Sequence, residues 1–168
     1  NLKAILTADC DGQHSVKDIE ACFKASLNNP ESLVLGTRNF NDKNVPFKSK
    51  YGNKITRNMF KIFVGIKITD TQTGLRAMSK DIATKFLDVA GERYEYETNM
   101  LITCKNEDIK IYEEEIDTVY INGNELSHFN PVKDSIMIYK LFIKYILAAI
   151  SSFVVDILLF TLILSFIK

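Results

Sequence analysis

From residue 145 to residue 167 the chain is almost wholly apolar, and Asp156 is the one charged residue in that run. Such a length suits the roughly 20 residues that a helix needs to cross the hydrocarbon core of a bilayer. One central Asp costs on the order of 3 kcal/mol, whereas each Leu, Ile, Phe or Val returns roughly 0.3 to 0.6 kcal/mol. Insertion is favoured, and a buried core helix, normally shorter and more amphipathic, is the lesser alternative. Lys133, Lys140 and Lys144 precede the run and only Lys168 follows it. That bias places the polar part on the cytoplasmic side of the cell membrane. Asp156 is either part of a polar path or interhelical contact, or an incidental acid among apolar neighbours. A single span offers it no partner, so further helices are expected in the whole protein.

The polar remainder reads as one α/β domain over residues 1–135, with residues 136–168 forming a juxtamembrane segment and the first span. Lys and Arg number 21, as do Asp and Glu, which gives no net field to attract nucleic acid. Cys10, Cys22 and Cys104 are odd in number, far apart and outside any Cys-x-x-Cys spacing. Neither a disulfide framework nor a zinc site is implied, and a reducing cytosol fits. The sequence opens at Asn1, just before a strand and without a signal-peptide pattern. A fragment lacking its front half is the expectation.

Strands and helices alternate along the polar part, the pattern of a layered α/β fold. Residues 2–7 read as a buried strand. Ser15-Val16-Lys17-Asp18 resembles a capping box opening a helix, with Val16, Ile19, Cys22 and Phe23 on one face and Asn28-Asn29-Pro30 as its stop. Residues 33–36 form a second strand that delivers Thr37 and Arg38 to its end. Tyr51, Ile55, Met59, Phe60, Phe63 and Ile66 recur at helical spacing, which predicts an amphipathic helix over 52–66. Residues 70–74 are turn chemistry, 79–87 a capped helix, 96–105 a helix, 109–116 a strand and Asn122-Gly123-Asn124 a turn.

Asp9 and Asp11 close the first strand and open a turn. Hard divalent cations take several converging oxygens from such mobile backbone, although an Asp-x-Asp turn with Asx capping looks the same in sequence. Ligands of open α/β sheets bind beyond the carboxyl ends of the strands, where Asp9, Asp11 and Arg38 are all expected. A bridging cation would let the acids receive a phosphate, and Arg38 with Lys48, Lys50 and Lys54 could neutralise a second anion. By themselves, the bases from Lys48 to Arg57 are also what a solvated helix face looks like. His14 and His128 are candidates for the site or plain turn and rim residues. Glu113, Glu114, Glu115 and Asp117 read as a solvated strand face, and Glu95 and Glu97 as pairing partners, for instance of Arg93.

Taken together, Thr7-Ala8-Asp9-Cys10-Asp11-Gly12-Gln13-His14, Leu35-Gly36-Thr37-Arg38, Ser49-Lys50-Tyr51-Gly52-Asn53-Lys54 and Asp70-Thr71-Gln72-Thr73-Gly74-Leu75-Arg76 resemble the family-2 glycosyltransferases that act on polyprenyl phosphate. Arg93-Tyr94-Glu95-Tyr96-Glu97-Thr98-Asn99-Met100 and Ser127-His128-Phe129-Asn130-Pro131 continue the resemblance in order. Dolichyl-phosphate mannose synthases and bactoprenol glucosyltransferases are the relatives in mind. The resemblance implies the C-terminal part of a type-A glycosyltransferase (Rossmann-like) domain and inverting transfer from a nucleotide sugar to polyprenyl phosphate. It also implies Mg²⁺ or Mn²⁺ on Asp9, Asp11 and Gln13, and acceptor phosphate on Arg38, Lys48, Lys50 and Asn53. Asp70 and Arg76 would belong to the catalytic turn. Lys48 and Lys50 stand where the more basic relatives carry Arg, which keeps the charge but not the bidentate fork.

A lipid phosphate is largely ionised near neutral pH, its second pKa being about 6 by analogy with phosphoserine, so no general base is demanded. The segment Lys140-Leu141-Phe142-Ile143-Lys144-Tyr145 and the run Phe153-Val154-Val155-Asp156 also resemble the first span of GtrA-like membrane proteins. Expected partners are a nucleotide sugar (UDP-glucose or GDP-mannose class), polyprenyl phosphate and the bilayer. Self-association as a homo-oligomer is left open. The rival reading is a non-catalytic membrane module that binds or helps translocate lipid-linked sugar.

Overall fold

A computed structural model describes residues 2–42, 45–92, 94–117 and 133–167. The chain divides into two units, Asn1–Phe129 and Asn130–Lys168. The expected turn at Asn122-Gly123-Asn124, the segment Ser127 to Pro131 with His128, Arg93 and Lys168 lie outside the described residues, as do the side chains of Lys48 and Lys133.

The first unit contains β1 (Ala4–Thr7), α1 (Val16–Asn28), β2 (Ser32–Arg38), α2 (Phe47–Met59) with a π-helical extension (Phe60–Val64), β3 (Arg76–Ser79), α3 (Lys80–Phe86), α4 (Tyr94–Asn106) and β4 (Lys110–Ile116). These strands form one sheet in the order β1-β3-β2-β4. β3 runs antiparallel to both neighbours, pairing Thr7 with Arg76 on one side and Leu35 with Arg76 on the other. β2 and β4 are parallel, from Ser32 opposite Lys110 to Arg38 opposite Ile116. β1, β2 and β4 therefore point the same way, and their carboxyl ends share one edge with the start of β3. The α/β class holds, as a mixed sheet in which β3 was not foreseen.

Local chemistry sets most of these boundaries. Ser15 caps α1, its Oγ accepting from the Asp18 amide at 3.2 Å while donating to Asp18 Oδ2 at 2.7 Å. At the other end the Asn29 amide and side chain both reach Ala25 O at 2.9 Å. Ser79 caps α3 by accepting from the Ile82 amide. Cys22, Ala25, Val34, Leu75, Ala77 and Ile116 form the buried cluster between α1 and the sheet, with Leu6 and Ile19 packed on it. Burial pushes the Cys22 thiol up to about 12, and Cys104 likewise, which leaves both as inert packing residues.

Two expected faces need correction. On α1, Val16 and Phe23 are exposed rather than buried, because the cluster takes its contacts from Cys22 and Ala25. The helix expected over 52–66 begins five residues earlier, and its inward face is Asn53, Thr56 and Phe60, not Tyr51 and Phe63. Both polar residues on that face are satisfied: Asn53 binds the loop beyond the helix, and Thr56 donates to Gly52 O at 3.0 Å.

The second unit is described by α5 (Lys133–Ile167). Its residues Phe142–Phe166 are long and apolar enough to cross a membrane; Phe142 is buried, and the residues that follow it are exposed or half-buried. Asp156 is exposed within it.

Candidate functional site

The common strand edge carries a hollow. The β1–α1 loop lines it with Asp9, Gln13 and His14, β2 with Arg38, the loop before β3 with Gln72, Thr73 and Gly74, and the end of β4 with Ile116 and Asp117. Gly12 has φ 78°, a left-handed turn that favours glycine, and it turns the chain from the acids toward Gln13. Asp11 accepts from the Gln13 amide at 3.1 Å, an Asx turn, and is not among the lining residues. At Gly74 an added Cβ would occupy the place of the Asp9 carboxylate, which would have to swing aside.

The loop of residues 69–75 is held from every side. Asn53 is almost fully buried; its Nδ2 donates to Thr69 O at 2.8 Å, and its Oδ1 accepts from the Thr71 amide and hydroxyl at 3.2 Å. Glu113 Oε1 accepts from both the amide and the hydroxyl of Thr69 at 2.6 Å. Thr73 Oγ1 donates to Gly36 O at 2.6 Å. Asp70, fully buried, accepts from Arg38 Nε at 2.6 Å, Arg38 Nη2 at 3.0 Å and the Gln72 amide at 3.0 Å. Arg38 also lies 5.1 Å from the Phe40 ring centroid. A two-point ion pair fixes the plane of the guanidinium, so Arg38 forms part of the hollow in a set orientation.

Arg76 is buried beneath the loop. Its Nε donates to Thr73 O and its Nη1 to Glu97 O, both at 3.0 Å, and its Nη2 lies 3.5 Å from Glu97 Oε2. Burial pushes the Glu97 carboxyl above its ordinary range; Arg76 opposes this in part, and nearby Asp9 and Asp70 add to it. Burial likewise lowers the Arg76 pKa against the pull of Glu97, yet a guanidinium keeps its proton in a protein. Glu97 is thus a partner of Arg76, an ion pair between β3 and α4 that the sequence reading missed.

The structure brings Asp9, Gln13 and Arg38 together at the hollow and sets Asp70 and Arg76 behind its wall. Asn53 braces the loop from α2, while Lys50 is exposed on the outer side of that helix and does not line the hollow. The acidic end of β4 is also more engaged than a solvated face, because Glu113 holds Thr69 and Glu115 accepts from Asn39 at 3.2 Å. His14 Nδ1 is buried without a hydrogen-bond partner among the described residues. Among the described residues no three His, Cys, Asp or Glu side chains converge on a metal position. Of the residues expected to hold a cation, Asp9 and Gln13 line the hollow and Asp11 does not; one carboxylate and an amide oxygen are within what a cation of the Mg²⁺ kind accepts when phosphate and water complete its shell.

No family model matches the chain, and no solved structure does. The chain is 31% identical over 148 residues to an uncharacterized protein of Methanocaldococcus jannaschii, covering 86% of this chain and 61% of that one. It is 36% identical over 120 residues to the UDP-N-acetylglucosamine–dolichyl-phosphate N-acetylglucosaminyltransferase of Methanococcus voltae, covering 68% of this chain and 47% of the relative. The chain therefore spans about half to three fifths of the length of these relatives, and one of them is a glycosyltransferase whose name specifies a lipid phosphate.

Proposed function

We propose that this chain belongs to a membrane-bound glycosyltransferase that moves a sugar from a nucleotide sugar to polyprenyl phosphate, with inversion at the anomeric carbon. The observation that carries the reading is the 36% identity to the Methanococcus voltae transferase. The acids and Arg38 on one strand edge and the exposed apolar α5 agree with it. In this reading Asp9, Asp11 and Gln13 would hold Mg²⁺ or Mn²⁺, which when bound would supply charge neutralisation for a departing nucleoside diphosphate.

Arg38, oriented by Asp70, faces the acceptor phosphate, with Lys48 and Lys50 as further positive charge. An ionised phosphate oxygen forms the new bond to the anomeric carbon as the bond to the donor diphosphate breaks. No proton has to leave the nucleophile, so positioning and electrostatics suffice. Asp70, Arg76 and Asn53 act through the loop of residues 69–75, because their burial keeps them from the reactants. α5 crosses the bilayer with the first unit on the cytoplasmic side, as the first span of a GtrA-like segment.

The test expresses the complete gene in membranes and follows labelled sugar from UDP-N-acetylglucosamine, UDP-glucose and GDP-mannose to polyprenyl phosphate. Transfer from one donor, abolished by chelator and by Asp11→Asn, is the expected result. Absence of transfer from every donor by inserted, folded protein would favour the non-catalytic membrane module instead.

A further inference from the structure

His14 lines the hollow and is half-buried, yet its Nδ1 is enclosed by protein and has no hydrogen-bond partner among the described residues. Buried polar atoms are nearly always paired, and an unpaired one costs free energy until something bonds to it. The backbone on both sides of His14 is held, so the ring hangs from a fixed point. Before it, the Gln13 amide donates to Asp11 Oδ1 at 3.1 Å. After it, Ser15 caps α1 and donates to Asp18 Oδ2 at 2.7 Å. Asp18 is itself buried, and its Oδ1 accepts from the Asp117 amide at 3.4 Å. That carboxylate thereby ties the β1–α1 loop to the end of β4, and both segments line the hollow.

We propose that His14 is a binding residue for the donor diphosphate, with Nδ1 carrying a hydrogen that it donates to a phosphate oxygen. The assignment rests on the reaction proposed above, because it needs the hollow to receive a diphosphate. Local charge selects the direction of the bond. Asp9 and Asp117 bring two carboxylates to the lining, and the Arg38 guanidinium already shares its charge with Asp70. An anion entering among these groups offers acceptor oxygens alone, so the complement that Nδ1 can supply is an N–H. A neutral imidazole has one N–H and one acceptor nitrogen, which leaves Nε2 as the acceptor.

The test titrates the complete gene product, in detergent with saturating Mg²⁺, with inorganic pyrophosphate in a calorimeter, and follows sugar transfer and thermal melting of the same samples. Asparagine places an amide nitrogen near the position of Nδ1, whereas glutamine reaches the position of Nε2 and leucine supplies no donor. One hydrogen bond to a charged oxygen corresponds to about 10- to 100-fold in affinity. His14→Leu and His14→Gln should weaken pyrophosphate binding by about that factor, and His14→Asn should restore most of it. Donor kcat/KM should fall at least as far, since charge on the diphosphate grows as it departs. Free His14→Leu should melt no lower than wild type, because it removes an unpaired buried nitrogen; a merely structural histidine would lose stability and affinity together. Unchanged pyrophosphate binding by His14→Leu, in a protein whose wild type binds and transfers, would overturn the proposal and leave the transfer reaction standing. So would a His14→Asn defect equal to that of His14→Leu, or a melting temperature that falls in step with affinity. A wild type that neither binds pyrophosphate nor transfers sugar would overturn the reaction, and the role of His14 with it.

Discussion

Asp70→Asn tests whether the pair with Arg38 braces the hollow. The Asp70 side chain is fully buried and takes four donors: Arg38 Nε, Arg38 Nη2 and the amides of Arg38 and Gln72, at 2.6 to 3.3 Å. Asparagine keeps the shape but loses the charge and one acceptor oxygen, so its amide nitrogen must face at least one of those donors. Removing one partner of a buried ion pair costs about 3 to 5 kcal/mol. The Arg38 side chain is 21% exposed, and water recovers part of the loss, which brings the expectation to about 2 to 4 kcal/mol. That is a large share of the roughly 5 to 15 kcal/mol that stabilises a domain. Urea unfolding in detergent, read by far-UV ellipticity, measures it, and amide exchange at Gln72 reports the loop itself. Arg38→Met, alone and combined with Asp70→Asn, closes a cycle in which the double variant should cost less than the sum. A loss below about 1 kcal/mol with unchanged exchange at Gln72 would refute the bracing argument.

Two further outcomes follow from the same geometry. Gly74→Ala puts a methyl group where the Asp9 carboxylate lies and makes it swing aside, so stability should change by less than about 1 kcal/mol while Mn²⁺ binding weakens by calorimetry; unchanged binding would show that the position of Asp9 is not needed. Burial raises the Glu97 pKa, so its contribution to stability is fully present below its ordinary value of 4.5 and is lost as pH rises through the folded value. The stability of Glu97→Gln relative to wild type should therefore improve with rising pH in urea titrations, and a shift the other way would mean that Arg76 outweighs burial.

What could be read in the sequence is what local chemistry decides. The Ser15 and Ser79 caps, the Asn29 stop and the apolar run of β2 announce their elements within a few residues. The rule that ligands sit beyond parallel strand ends was enough to put Asp9 and Arg38 on one edge. β3 escaped because its four residues, including an arginine, become a strand only when flanked by β1 and β2. Arg76 with Glu97, and Arg38 with Asp70, depend on that strand's direction and could not be paired beforehand. The faces of α2 were misassigned for a related reason, since Asn53 and Thr56 are buried by virtue of hydrogen bonds that hydrophobic spacing does not encode.

The antiparallel insertion of β3 also has a temporal side. Among the described strands β1 is hydrogen-bonded to β3 alone, and 67 residues separate Thr7 from its contact at Gly74. On the ribosome, the strand that leads into the acids emerges before its partner and has no described edge to join until β3 follows. α1 can form meanwhile, because its caps are local, whereas closing so long a loop precedes any reward from pairing. The acidic turn is thus made well before the strand that places it, and a nascent chain halted before β3 would carry Asp9 and Asp11 without the scaffold that gives them an address.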